Sequence, residues 1–181
     1  MNPQEQYCVF STVWGYFGFS AEAGRIKRTC LPCQETTSVE QTLLGARPGL
    51  HSSGLMRPLQ RRIQAYFEGE PVAFGDTPLW CTGLSSFSQE VYVALAKVPA
   101  GTTVSYGELA GLAGHPGAAR AVGRAMSANP TPLVVPCHRV LSAGGGLGGF
   151  SAQGGVVTKK RLLEHEKDIL VHSTGAIHVS G

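Results

Sequence analysis

Three side chains in this sequence could act on one another chemically: Cys137, His138 and Glu166. A cysteine attacks as its thiolate, and an imidazole in reach, directly or through a water, can generate that thiolate. Cys137 and His138 are adjacent in Pro136-Cys137-His138-Arg139-Val140, which follows the apolar Leu133-Val134-Val135 and precedes a glycine-rich loop over 144–149. On the dipeptide alone an ordinary core is the better reading, because cysteine is among the most buried residue types and adjacent Cys-His pairs arise by chance. If the stretch is a buried strand, neighbouring side chains point to opposite faces, which disfavours direct thiol–imidazole contact and favours a bridging water.

Glu166 falls on the apolar stripe of a final helix expected over 158–170, with Leu162, Leu163, Ile169 and Leu170. A carboxylate there lies at the stripe's exposed edge or must be paired, since an unpaired buried charge is costly. His138 is the nearest chemical candidate for a partner. That pairing would set carboxylate, imidazole and thiol in series, as in activated nucleophiles.

The elements that must position these groups lie mostly after residue 85. Ser86 and Gln89, then Ser105 and Glu108, have capping-box spacing ahead of apolar-periodic runs. A third helix is expected over 117–128, ended by Asn129-Pro130. Two short helices joined by the Gly-containing turn 114–117 suggest a helix-turn-helix. On the third helix Ala118, Ala121, Val122, Ala125 and Met126 form an apolar stripe, while Arg120, Arg124 and Ser127 share another face with the small Gly123 nearby. Such a face can approach a phosphate backbone closely, and a pair of solvated arginines explains it equally well. Residues 144–149 satisfy G-x-G-x-x-G but open no helix directly, so a dinucleotide site is disfavoured and a loop closing on a ligand favoured. Lys159-Lys160-Arg161 reads as a solvated face.

The first half reads as strands near 7–10, 16–19 and 26–31, with turns at Trp14-Gly15 and Glu22-Ala23-Gly24. Residues 34–54 are rich in Thr, Ser and Gly and read as a long loop. A helix over 55–67 stops at Gly69, with Arg57, Arg61 and Arg62 solvated; 71–82 reads as extended linker. The expected class is α+β: a small antiparallel sheet domain with a helix (1–85), a mostly helical domain (86–171) and a loose tail (172–181). Cys30-Leu31-Pro32-Cys33 could join Cys8 and His51 around zinc, but the spacing is irregular, so packing or surface cysteines are expected and no metal.

The 181-residue chain is long enough for a real core and carries a net charge of +3, mildly basic and compatible with an anionic partner. Its five cysteines form no disulfide framework. No signal peptide or membrane-spanning run is visible, so a reducing, cytoplasmic location and no membrane partner are expected.

Ser105-Tyr106-Gly107-Glu108-Leu109-Ala110, Ala118-Ala119-Arg120-Ala121-Val122-Gly123, Asn129-Pro130, Pro136-Cys137-His138-Arg139-Val140 and Leu162-Leu163-Glu164-His165-Glu166 resemble, in order and spacing, the O6-alkylguanine-DNA alkyltransferases. The resemblance covers about 86–170. The N-terminal part resembles the family's variable sheet domain loosely, through its strand pattern and Tyr66-Phe67-Glu68-Gly69.

The resemblance implies a helix-turn-helix in the minor groove of double-stranded DNA containing O6-alkylguanine, chiefly O6-methylguanine, or O4-methylthymine. Arg120 would fill the gap left by a flipped nucleotide, helped at the backbone by Tyr106, Ala119, Gly123, Arg124 and Ser127. Cys137 would take the alkyl group once and irreversibly, with His138 as water-bridged base and Glu166 orienting it. Tyr106 and the backbone near Ser151 would stabilise the departing guanine oxygen, and Asn129 would tie the recognition helix to the active-site strand. Met126, Val140, Phe150 and Ser151 would line the pocket, with carbonyls near Cys137 and Val140 reading the guanine amino group. The resemblance implies a monomer and no cofactor. Some members hold zinc through two Cys and two His, a pattern these cysteines do not match.

This sequence departs from the family at 149–155, where Phe150 replaces a frequent Tyr and two residues look inserted. Relatives carrying Trp in place of the cysteine bind lesions without repair, so a non-catalytic alkyltransferase-like sensor is the alternative; a cysteine hydrolase is a third reading.

Overall fold

The computed structural model describes residues 4–175; Met1–Pro3 and 176–181 lie outside it. The fold is α+β, as expected. Strands β1 (Gln6–Thr12), β2 (Gly15–Glu22) and β3 (Arg25–Cys33) form an antiparallel meander, and a short β4 (Leu50–His51) pairs parallel to β1, giving the order β3-β2-β1-β4. The β2–β3 hairpin turns through Ala23 and Gly24, both at positive φ (49° and 73°), the backbone signature of a type I′ turn.

The sheet is covered on both faces. Helix α2 (Arg57–Glu68) lays Leu59, Ile63, Tyr66 and Phe67 against Phe17 and Phe19 of β2 and ends at Gly69 in the left-handed conformation. Helix α1 (Thr36–Leu44) covers the other face with Val39 and Leu43, over Cys30 and Cys33. It lies so close that a Cβ on Gly18 would meet Val39 at 2.4 Å. The long loop expected over 34–54 is therefore corrected: it holds a helix and a strand. Its Thr/Ser-rich composition concealed a helix whose buried face is only Val39 and Leu43.

Helix α3 (Ser86–Ala96) is capped by Ser85, whose Oγ accepts from the Ser88 N–H at 3.2 Å, so the expected cap at Ser86 moves back by one residue. The Ser105–Glu108 capping box forms as expected at the start of α4 (Tyr106–Leu112). A turn over 113–118 leads to α5 (Ala119–Ser127), which buries Val122, Ala125 and Met126. Tyr92 of α3 pins α5 by donating to the Ala125 carbonyl at 2.9 Å.

The last helix, α6 (Gly155–Gly175), is longer at both ends than expected. Residues 172–175 of the expected loose tail belong to it, and the remainder, 176–181, lies outside the described residues. One other expectation about charged residues fails, since Lys159 is fully buried; Arg62 stays partly exposed and pairs at the surface with Asp76. Among the described residues no helix is long and apolar enough to cross a membrane.

Candidate active site

The Cys137 stretch is not a strand. Residues 133–136 form a buried turn with Leu133 at φ 78°, an expensive conformation for a side chain of that size. Cys137–Arg139 is a single 3-10 turn, in which the Arg139 N–H donates to the Pro136 carbonyl at 2.9 Å and the Val140 N–H to that of Cys137. Pro136, with no N–H and a fixed φ, suits a turn start better than a ladder. The alternation argument for a water between Cys137 and His138 therefore does not apply.

Three braces hold this turn. Asn129 donates from Nδ2 to the Val135 carbonyl at 2.9 Å and accepts from the Thr131 N–H at 3.0 Å, so its expected tie is present, made to a turn instead of a strand. Thr29 of β3 donates to the carbonyls of Pro130 (3.0 Å, from N–H) and Pro132 (2.6 Å, from Oγ1), making the N-terminal sheet part of the scaffold. Strand β5 (Val104–Ser105) pairs parallel with β6 (Val140–Leu141), which sets Tyr106 beside the turn.

Glu166 is fully buried and meets His138, as its place on the apolar stripe suggested: Oε1 accepts from His138 Nε2 at 2.7 Å. The carboxylate also accepts from Arg139 Nε (3.0 Å to Oε2) and Nη2 (2.7 Å to Oε1), from the Tyr66 hydroxyl (3.0 Å) and from the Gly101 N–H (2.8 Å). Arg139 is anchored in turn, donating from Nη1 to the Val98 carbonyl at 2.6 Å. Burial alone would raise the carboxyl pKa, but the hydrogen bonds from His138 and Arg139 and the Arg139 charge outweigh it and hold Glu166 ionised well below the usual carboxylate range.

Burial depresses the His138 pKa, more than Glu166 raises it, so the resting imidazole is neutral. A carboxylate only accepts, so Nε2 carries the proton and Nδ1 holds the free lone pair. Nδ1 is buried with no hydrogen-bond partner among the described residues. That atom is the available base.

Burial also pushes the Cys137 thiol up, against the lowering influence of Asn129 and the Lys159 charge, so the resting cysteine is protonated. Lys159 donates from Nζ to the Val140 carbonyl at 2.6 Å, and its own pKa is lowered by burial. Sequence reasoning missed Lys159, Arg139 and Tyr66 as members of this cluster. Only the adjacency of Arg139 to the Cys-His pair offered a signal.

Cys137 opens onto a cleft of about 560 Å³. One wall is α5, through Arg120, Gly123, Arg124, Met126 and Ser127; Tyr106, Phe150 and Ser151 complete it. Arg120, Arg124 and Ser127 are exposed on one helix face, as expected, and Gly123 lies beside the Tyr106 ring, where an added Cβ would make ordinary contact at 4.0 Å. Burial raises the Tyr106 pKa, keeping the phenol a donor.

Not every expected residue reaches the cleft. Ala119 is half-buried outside its walls, and the Val140 side chain is in the core. The carbonyls of Cys137 and Val140 already accept from the Val140 N–H and Lys159, leaving each one lone pair for a ligand.

A separate hollow of about 510 Å³, between β3, α1 and residues 151–153, holds Asn129 and none of the relay. Cys30 and Cys33 lie nearby, buried, with their sulfurs 3.5 Å apart. Among the described residues no group of three or more His, Cys, Asp or Glu side chains could hold a metal ion.

Residues 86–168 match the family model "6-O-methylguanine DNA methyltransferase, DNA binding domain". The methylated-DNA–protein-cysteine methyltransferase of Mycobacterium leprae is 45% identical over 130 residues, covering 71% of this chain and 76% of that protein. The protein of the same name from Salmonella typhimurium is 46% identical over 113 residues, 62% of this chain; the match spans 64% of the Salmonella protein, less than two thirds. Among solved structures, the OGT of Mycobacterium tuberculosis in complex with DNA superposes with a TM-score of 0.73 at 34% identity, covering 91% of this chain and 94% of that one.

Proposed function

Because the chain belongs to the O6-methylguanine-DNA methyltransferase family, we propose that it repairs duplex DNA by moving the alkyl group of O6-alkylguanine onto Cys137. The observation that carries this reading is one cleft that joins the thiol to the arginine-bearing face of α5, backed by the buried His138–Glu166 pair.

Association begins with that face of α5 on the sugar–phosphate backbone. The thiol lies at the floor of a cleft and cannot reach a base inside the stack, so the nucleotide must be flipped out, with Arg120 filling its place. Met126, Phe150 and Ser151 then line the pocket around the base, and Tyr106 donates to its leaving oxygen. The thiol proton passes through a water to His138 Nδ1, and the imidazolium that forms is balanced by Glu166. The sulfur forms a bond to the alkyl carbon as the bond from that carbon to O6 breaks. The electron pair stays on the guanine, which takes up a proton as it is released. The thioether has no route back to a thiol, so each molecule acts once.

The elevated thiol pKa fits this order of events, since a thiolate made only when substrate is bound avoids idle oxidation. The same reading makes 86–171 the DNA-binding and transfer domain, supported by 1–85, in a monomer working in the cytoplasm without a cofactor.

Intact mass after incubation with a duplex containing O6-methylguanine tests the proposal. A gain of one methyl group that disappears in Cys137→Ala is the expected result. Tight binding with no mass change would instead make the protein a lesion sensor, and multiple turnover of an ester would make it a hydrolase.

A further inference from the structure

We propose that Tyr66 is a positioning residue for alkyl transfer: its hydroxyl, contributed by α2 from the N-terminal half of the chain, shares Glu166 Oε1 with His138 and thereby sets how firmly the carboxylate holds the imidazole proton. This rests on the reading of Cys137 as nucleophile and His138 as its base.

Tyr66 lies in the last turn of α2 and is fully buried. Its hydroxyl is 3.0 Å from Glu166 Oε1, the same oxygen that His138 Nε2 and Arg139 Nη2 each approach at 2.7 Å. Oε2 accepts from the Gly101 N–H and from Arg139 Nε, which is shared with Oε1 at 3.1 Å. A carboxylate oxygen has two lone pairs, so the donors on Oε1 compete, and each one withdraws charge that would otherwise act on the imidazole.

The placement is enforced twice over. The residue before Glu166, His165, has Nε2 2.6 Å from the Tyr66 carbonyl; a carbonyl only accepts, so the ring donates. Adjacent residues of α6 therefore bind the backbone and the hydroxyl of one tyrosine. The His165 ring also packs edge-on against Trp14 and Tyr66, closing the apolar side of this contact. Packing alone would not require the hydroxyl, because the Tyr66 ring already meets Phe67 and Phe74.

The groups facing the pair from each neighbouring element are Arg139 and the Cys137 thiol on the 3-10 turn, Lys159 and His165 on α6, and Tyr66 on α2. Of these, only Tyr66 combines a neutral donor, contact with the contested oxygen and origin in the N-terminal half. Removing its hydroxyl leaves more negative charge on Oε1, strengthens the hold on the imidazole proton and makes His138 a stronger base, protonated at higher pH.

The test is Tyr66→Phe, read in two ways. The first is NMR titration of isotope-labelled His138 in the resting protein, and the second is the pH profile of single-turnover methyl transfer. Both the imidazole titration and the acid limb of the rate should move to higher pH by roughly half a unit. Phe74→Leu, which disturbs the Tyr66 ring without touching the carboxylate, should lower the melting temperature and leave the titration in place. An unshifted His138 titration in a folded Tyr66→Phe protein would reduce Tyr66 to packing and overturn the proposal. If wild-type protein transfers no methyl group, the functional reading fails, and the titration still decides whether Tyr66 acts on His138.

Discussion

Glu166 is fully buried, with every approach to its carboxylate taken by His138, Arg139, Tyr66 or Gly101. Arg120 and Arg124, on another wall of the cleft at Cys137, are exposed, and among the described residues their guanidinium groups make no hydrogen bond or ion pair. One region is finished before any ligand arrives, and the other offers charge and shape that only a partner completes. The difference fits the roles proposed for the two regions. A base needs a fixed tautomer and a fixed proton affinity, which demand desolvation and saturated hydrogen bonding. A DNA-reading face needs cations whose water and counterions are released on contact, so prior pairing would weaken it. Variants in the two regions should therefore fail differently: the relay through stability and chemistry together, the helix through DNA alone.

The largest effect is expected from Glu166→Gln. The amide puts a donor where Arg139 and His138 already donate and leaves the guanidinium buried without its counter-charge. Such a loss costs about 3–5 kcal/mol, or a fall of roughly 10 °C in melting temperature for a chain of this size. With the tautomer of His138 released, transfer should slow on the order of 100-fold. The same pair makes the wild type acid-sensitive. The folded state resists protonating His138, so stability is lost as pH falls through the ordinary histidine value of 6.5. The depressed Glu166 adds stability present above the ordinary glutamate value of 4.5 and lost below it, in the same direction. The variant's decline below that value should be shallower. Equal melting temperatures and rates for variant and wild type would show that the relay is ornamental.

Arg120→Ala probes the other region, with a smaller effect confined to duplex substrate. Transfer from double-stranded DNA should drop by about tenfold or more, because on the proposed role the flipped state would lose the side chain that fills the stack. Reaction with free O6-alkylguanine base should be nearly unchanged, and stability should move by less than about 0.5 kcal/mol. Rates on both substrates compared side by side check this. Equal losses would place Arg120 in the chemistry and dissolve the contrast between the two regions.

The two regions also differed in how far the sequence revealed them. The face of α5 was legible because its alternation of small, apolar and cationic residues is local, within a few turns of one helix. Glu166 was legible for a related reason: a carboxylate on an apolar stripe is an anomaly visible along a single helix. Its other partners were not. Tyr66 reaches it from α2, and nothing near Tyr66 in sequence points to a carboxylate. Lys159 was misread because Lys160 and Arg161 follow it, and its burial depends on the Val140 carbonyl across a loop. The turn at Cys137 was misread as strand because Leu133-Val134-Val135 has strand propensity, which the Asn129 and Thr29 braces override. Helix α1 was lost because two buried residues make too thin a stripe to outweigh Thr and Ser. Local pattern thus exposed what is amphipathic, while contacts made at long range stayed hidden.

The smallest effect, and the finest test of the contrast, concerns Arg124. It lies one turn beyond Arg120 on the same exposed face. If it contacts a phosphate and not the flipped base, Arg124→Ala should weaken binding uniformly across DNA sequences. The slope of log K against log salt concentration should then fall by about 1, the counterion of a single phosphate contact. Transfer at saturating DNA should stay at the wild-type rate. Titrations of labelled duplexes at several salt concentrations read the slope, and single-turnover assays read the rate. A changed saturating rate with an unchanged slope would mean that Arg124 works inside the cleft it borders. The boundary between prebuilt chemistry and partner-completed recognition would then run along α5 itself, between two arginines one turn apart.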